Sequence, residues 1–512
     1  MVINTTGYRY QQLADELETK IISGQFRVGE RLPSLRALQA RTGFSVTTIA
    51  QAYADLEVRG LVEPREKSGY FVRPRLNGLM PSPGGGAQTA GPPQKVRVNT
   101  LAESILSVIR GKDMVPFGAA LPSDQLLPTR ELARSARQVA GACCRDGGLG
   151  YGPLDGVPQL KRQIAQRLLG CGLSSETEDL VVTNGCLDAI QLCLRAVAKP
   201  GDIVIIESPT FTCYLQLIEE LGLLALEIPA DPQTGIDLGQ LEEALFNGAW
   251  RRNRVAACLL NPSFHNPLGF EMPAERREQL VEMLGSLGIP LIEDDIYGEL
   301  HFGPSRLAPL KSYDRRGLVL YCSSFSKTLA PDFRVGWIMP GRFRDRILRL
   351  KFNSSIAQSK LPQLILADFL QYGHYDRHLR KLRAALSRQV SSAIHAISRY
   401  FPAGTKATVP DGGYIVWVEL DPAIDSMELF TRAREQHIFI IPGKITSSTG
   451  RFAHCIRLSC GTPWDGCLEE GMRALGSLVM ELQQEQRGID PGRKVAISLA
   501  TTGVKDTTEV YE

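Results

Sequence analysis

The pattern of apolar positions divides the chain into two unlike parts. In the first, apolar residues recur at helical spacing in YQQLADELETKIISG, which stops at Gly24, a residue suited to ending a helix. RLPSLRALQARTGFSVTTIAQAYADLEVRG then reads as a short helix capped by Ser34, a reversal at Gly43 and a longer helix over 46–59 capped by Ser45. LVEPREKSGYFV carries two short β-prone runs around a charged, Gly-containing turn, which predicts a hairpin. Helix, helix–turn–helix and hairpin make a winged helix–turn–helix over residues 1–75.

From about residue 100 the period changes. DLVVTNG, DIVIIESPT, VAACLLNPS, IPLIEDD, LVLYCSSFS and VGWIMP are short apolar runs, with helical segments such as LDAIQLCLRAVAKPG between them. The alternation predicts an α/β body over 100–486, built on a mainly parallel sheet with helices on both faces. A smaller α+β subdomain begins near 380 and includes GGYIVWVEL and HCIRLSCG. Between head and body, residues 76–99 are dominated by Pro, Gly, Ser and Gln and predict a flexible linker with no core. Residues 487–512 are polar and predict a disordered tail.

Composition narrows the class. A chain of 512 residues with 43% hydrophobic and 22% charged residues has the make-up of a globular protein of two or three domains. It holds no run of eighteen apolar residues, and its first residues lack the apolar core of a signal peptide. Both point to the cytoplasm and away from a membrane. The eleven cysteines show no CxxC pair, so they read as buried thiols rather than disulfides or metal ligands, and no metal is expected. Charge is uneven: residues 1–75 hold eleven Lys/Arg against eight Asp/Glu, which accounts for the whole net charge of +3. A basic head on a neutral body fits an appended nucleic-acid reader.

The chemistry begins at SSFSKTLAPDFRVGW, residues 323–337. Lys327 follows a buried strand, where desolvation lowers the pKa and frees a nucleophilic amine. A nucleophilic lysine needs an aldehyde, and pyridoxal phosphate supplies one with a phosphate that Ser324, Ser326 and Arg334 would bind. Alone, this stretch also fits an exposed loop with a surface lysine. Four more segments decide between the two. Asp294 ends the apolar run of LIEDDIYGEL and suits a protonated pyridine nitrogen; Tyr297 three residues on and Asn266 in NPSFHNPLG suit the ring's phenolic oxygen. Gly185–Cys186 joins a strand to a helix and offers free N–H groups to a phosphate. Phe211, after the strand IIES, is placed to stack on the ring.

These motifs carry a resemblance. Residues 100–486 look like a fold-type I aminotransferase, and LPSLRALQARTGFSVTTIAQAYADLEVRGLV resembles the GntR DNA-binding pattern. Together the halves resemble the MocR subfamily of transcriptional regulators. The resemblance implies that Lys327 holds the cofactor covalently and that Gly185, Cys186, Ser324, Ser326 and Arg334 bind its phosphate. It also implies that Tyr151, in LGYGPLDG, reaches the partner subunit's cofactor, which would make a homodimer necessary. Arg457, in CIRLSCG, matches the arginine that clamps an amino acid's α-carboxylate; the alternative is a structural pair with a core acid.

In the head, Ser45, Thr47, Thr48 and Gln51 line the start of a recognition helix, Arg36 begins the preceding helix, and Arg65 and Lys67 sit in the wing. Val46 stands where many relatives have a polar contact; it either meets a thymine methyl or packs. The expected partners are double-stranded operator DNA, a second copy of the chain and an amino acid or amine effector. Two functions stay open: a regulator that senses a metabolite, or a working aminotransferase with a regulatory or vestigial head.

Overall fold

The computed structural model describes residues 8–27, 29–65, 68–72, 79–84, 89–107, 114–145, 150–247 and 255–488. In the head, α1 (Arg9–Ile22), α2 (Leu35–Thr42) and α3 (Val46–Val58) precede a hairpin of β1 (Val62–Arg65) and β2 (Gly69–Val72). The caps are those the sequence predicts. Ser34 Oγ accepts from Ala37 N at 3.2 Å, Ser45 Oγ accepts from Thr48 N at 3.1 Å, and Gly43 turns the chain at a φ of 71°. Leu13, Leu17, Leu38, Ile49, Leu56 and Val72 meet in a core of the head's own. Arg59 ties α3 to α1 through Asp15 and Glu18, and also bonds Asp55 at 2.6 Å.

The body's main sheet draws on β3 (Gln94–Lys95), β4 (Val181–Thr183), β5 (Ile203–Ser208), β6 (Leu224–Asp231), β7 (Gly235–Ile236), β8 (Val255–Leu260), β9 (Leu291–Asp294), β10 (Val319–Ser324) and β11 (Gly336–Met339). Their order is β3-β6-β5-β8-β9-β10-β11-β4, with β7 paired to β6. From β6 to β10 the neighbours are parallel; β11 runs antiparallel to both β10 and β4. This reversal matters. It brings the residues before β11 to the same sheet edge as the carboxyl ends of β4, β5, β8, β9 and β10.

Both sheet faces are covered. Val204, Ile206, Leu259 and Leu320 pack with the helices Cys186–Val197 and Thr212–Glu220. Ile205, Cys258, Leu260 and Leu291 pack with Leu280 and Leu284 of the helix Ala274–Ser286. Truncating any one of these buried aliphatics to alanine costs about 2–5 kcal/mol. The smaller subdomain holds β12 (Lys406–Ala407), β13 (Ile415–Glu419), β14 (Ile441–Pro442) and β15 (Cys455–Ser459) in the order β12-β13-β15-β14. The long helix His374–Tyr400 and the helix Gly466–Gly488 pack against it.

One expectation is corrected. The segment 76–99 is not free of core: β3 pairs antiparallel with β6, and Val96 and Val98 are buried. Ala90 N donates to Gln240 Oε1 at 2.7 Å, and Ala407 N donates to Pro81 O at 3.1 Å. Proline and glycine obscure an alternating QKVRVN run that behaves as an edge strand. The tail expectation, beyond residue 488, lies outside the described residues. Ten cysteines are described and all are free, seven of them buried. Among the described residues no helix is long and apolar enough to cross a membrane, and no group of three or more His, Cys, Asp or Glu could hold a metal.

The head rests on the body. Glu57 of α3 forms an ion pair with Arg388 of the long helix, and Gly60 lies beside Ser387.

Candidate functional site

A cavity of about 160 Å³ opens where the strand ends converge. Lys327, just past β10, lines it with Asp294 at the end of β9, Asn266 after β8, Phe211 after β5, and Cys186 just beyond β4. Tyr297, Ser326 and Arg334 complete this set, so most of the residues singled out in the sequence come together.

Lys327 Nζ donates to Ala120 O at 2.7 Å. Burial, reinforced by the charge of Arg457, pushes its pKa down to about 8 against a weaker upward pull from Asp294. An appreciable fraction is therefore a neutral amine at neutral to mildly alkaline pH. Asp294 is buried and accepts three hydrogen bonds. Cys186 Sγ (3.2 Å) and Ile296 N (3.0 Å) reach Oδ1, and the Tyr214 hydroxyl reaches Oδ2. Burial raises its pKa, and these donors oppose the rise. A carboxylate has about four acceptor positions, so one remains.

The opposite corner gathers a guanidinium, a hydroxyl and a helix amino end. Arg334 sits at a φ of 51°, just before β11, and donates to Ser326 Oγ at 3.1 Å and to Asn184 O at 3.0 Å. Gly185, at a φ of 90°, caps the helix Cys186–Val197 and leaves room for that guanidinium. Ser324 stands one step back, where its Oγ accepts from Ser326 N at 3.0 Å and donates to Val335 O at 2.9 Å. It shapes the turn and does not line the cavity. The Cys186 thiol likewise points to Asp294, which leaves only its backbone N–H for the anion corner.

Arg457, on β15, is buried, and burial lowers its pKa. Its Nη1 lies 3.4 Å from Asn266 Oδ1, another N–H donates to Gly118 O, and its Nε has no partner. Among the described residues no carboxylate pairs with it, which removes the core-acid alternative. Asn266 also bonds Tyr297, whose ring packs edge-on to Tyr414. Tyr151 is 85% exposed and does not line the cavity.

On the head, Arg36, Thr47 and Gln51 are exposed, as is Val46 at 40%. Ser45 and Thr48 bond each other through their hydroxyls at 2.8 Å as part of the α3 cap. The side chain of Arg65, and Lys67 as a whole, fall outside the described residues.

Residues 113–475, well over half of the chain, match the family Aminotransferase class I and II, and residues 9–72 match Bacterial regulatory proteins, gntR family. The HTH-type transcriptional regulator YdcR of Escherichia coli is 38% identical over 473 residues, covering 92% of this chain and 99% of its own. The chain belongs to the MocR subfamily of GntR regulators. Another HTH-type regulator, NorG of Staphylococcus aureus, is 26% identical over 84% of this chain and 95% of its own. The MocR body is similar to the solved α-aminoadipate aminotransferase LysN of Thermus thermophilus, with a TM-score of 0.68 and 29% identity. That likeness covers 76% of this chain and 96% of LysN, whose structure carries N-(5'-phosphopyridoxyl)-L-leucine.

Three residues of this MocR-type site escaped the sequence reading. Tyr214 lies on the helix after Phe211 and bonds Asp294. Asn261 holds the site's frame: its Nδ2 donates to Asp294 O at 2.8 Å and its Oδ1 accepts from Asn266 N at 2.8 Å. Ala120 supplies the carbonyl that Lys327 meets. Asn261 carried a signal, since it ends an apolar run in LLNPS; Ala120 carried none.

Proposed function

We propose that this chain is a pyridoxal-phosphate-dependent transcriptional regulator. Its head binds double-stranded DNA, and its body, as a homodimer, senses an amino acid, an amine or the cofactor itself. The observation that carries the reading is Arg457: a buried guanidinium with an unpartnered Nε and, among the described residues, no carboxylate partner, in contact with Asn266 on the wall of the cavity that holds Lys327. An unpaired buried cation is costly to fold around and is best explained by an anion that arrives later.

The residues fit pyridoxal phosphate. The remaining acceptor position of Asp294 suits a protonated ring nitrogen, and Asn266 with Tyr297 suits the phenolic oxygen. Phe211 suits the ring face. Arg334, Ser326 and the N–H groups at Gly185 and Cys186 suit the phosphate, at a helix amino end where the dipole favours negative charge. Ser324 braces that corner. When bound, the cofactor supplies an aldehyde carbon for an amine and a protonated ring that draws electrons from it. Lys327 presents the amine and moves a proton at Nζ, Asp294 keeps the ring nitrogen protonated, and Arg457 orients a carboxylate. Tyr151, exposed on one protomer, suits the partner's phosphate.

A route from this site to the head is also available. Thr328, next to Lys327, is held by Tyr375 Oη at 2.9 Å and by His378 Nε2 at 2.6 Å, both on the long helix that carries Arg388. In the head, Arg36, Thr47 and Gln51 are the exposed DNA contacts this reading uses, with Ser45 and Thr48 capping α3.

A gel shift with the chain's own upstream region, with and without pyridoxal phosphate, tests the regulator. Absence of any shift in both conditions overturns it. The reading as a working aminotransferase draws on the complete residue set and on neighbours such as LysN. Multiple turnover of an amino acid with a keto acid would establish that activity; conversion that stops at one equivalent would count against it.

A further inference from the structure

The long helix His374–Tyr400 carries a line of basic residues along one side. His374, Arg377, Lys381 and Arg388 follow one another at steps of three, four and seven residues, which puts them on one helix face, with Arg380 beside them. Arg377, Arg380 and Lys381 are exposed. They form one wall of a cleft of about 910 Å³, and α3 forms the facing wall with Gln51 and Ala54. The acids that could neutralise the line are mostly engaged. Asp55 bonds Arg59, Glu57 bonds Arg388, and Asp376 bonds Arg167 at 2.9 Å, which leaves Glu131.

We propose that this stripe grips the phosphate backbone of DNA flanking the segment read by α3, so that the body forms part of the DNA-binding surface. The inference rests on the DNA-binding reading above and extends it from head to body. Placement beside α3 favours a nucleic acid over a small anion. The exposed cations Arg377, Arg380 and Lys381 lie within about 6 Å of helix rise, the axial length of about two nucleotides of one strand at 3.4 Å each, and Arg388 beyond them is held by Glu57. Gln51 lies one turn on from Thr47 and opens on the same cleft, so a duplex held by that face runs beside the stripe.

The test uses the full chain and a duplex carrying its own upstream region, with the dissociation constant measured across salt concentrations. Each phosphate contact contributes about 0.9 to the log–log slope. Arg377→Gln with Lys381→Gln is expected to make the slope shallower by about 2 and to weaken binding at least about ten-fold in 0.1 M salt. The hydroxyl-radical footprint should lose its flanking protections and keep the central ones. Arg377→Gln with Arg380→Gln is an independent pair, and pyridoxal phosphate binding serves as the check that the body is intact. An unchanged slope and footprint in both pairs, with the parent binding normally, overturns the proposal. If the parent itself does not bind, the DNA-binding reading falls, and this inference with it.

Discussion

Gly185 and Arg334 compete for one volume: a Cβ on Gly185 would lie 2.3 Å from Arg334 Nη2. The backbone there has a φ of 90°, which also disfavours any side chain. Gly185→Ala is therefore expected to dislodge the guanidinium and weaken pyridoxal phosphate binding about a hundred-fold, read by absorbance titration. It should also lower stability by about 1–3 kcal/mol in urea unfolding. Unchanged cofactor affinity would mean that Arg334 does not hold the phosphate.

Lys327 should titrate well below a surface lysine, because burial and the charge of Arg457 push its pKa down to about 8. Its acylation by an amine-reactive ester, followed by peptide mass spectrometry, should rise with pH and level off above about 8. Surface lysines keep rising towards pH 10. A Lys327 profile that tracks the surface lysines would show that the amine is not perturbed.

Arg457→Gln should erase the preference for an amino acid over the amine that lacks its carboxylate. Loss of a charge-assisted bond predicts about a ten- to hundred-fold weaker response to the acid and little change for the amine. The thermal midpoint should stay at or above the parent's, because the residue removed is a buried cation with no carboxylate partner among the described residues. Binding of acid and amine weakened equally would point to a structural role instead.

Tyr214→Phe removes one of three donors to a buried carboxylate. The expected cost is about 1–3 kcal/mol in urea unfolding, at a pH where Asp294 is ionised. The cost should shrink as the pH falls and Asp294 takes up a proton, because the hydroxyl bond favours the charged form. A cost that stays constant with pH would assign it to packing.

Most of the body could be read from the sequence because its strands are short apolar runs that end in polar residues, and Asp294, Asn266, Lys327 and Arg457 mark those ends or the strands themselves. Residues whose task is to hold another residue were harder. Tyr214 sits at an ordinary helix position, and only the sheet order, with β5 and β9 on either side of β8, puts it against Asp294. Ser324 and Cys186 were assigned to the phosphate by position in a motif, whereas their side chains point to a neighbouring serine and to a carboxylate. The segment before residue 99 misled by composition, since its prolines and glycines outnumber the two valines, Val96 and Val98, that bury. The docking of Glu57 on Arg388 joins residues 331 positions apart, and no local pattern announces it.

The anchoring of Pro81 to Ala407 and of β3 to β6 has a consequence for the head's range. Val72 and Pro81 are nine residues apart, so their separation is at most roughly 30 Å. If Glu57 and Arg388 separate, the head stays on a short leash at millimolar effective concentration next to its own body. Docking of the head is then a local equilibrium that diluting the protein does not shift.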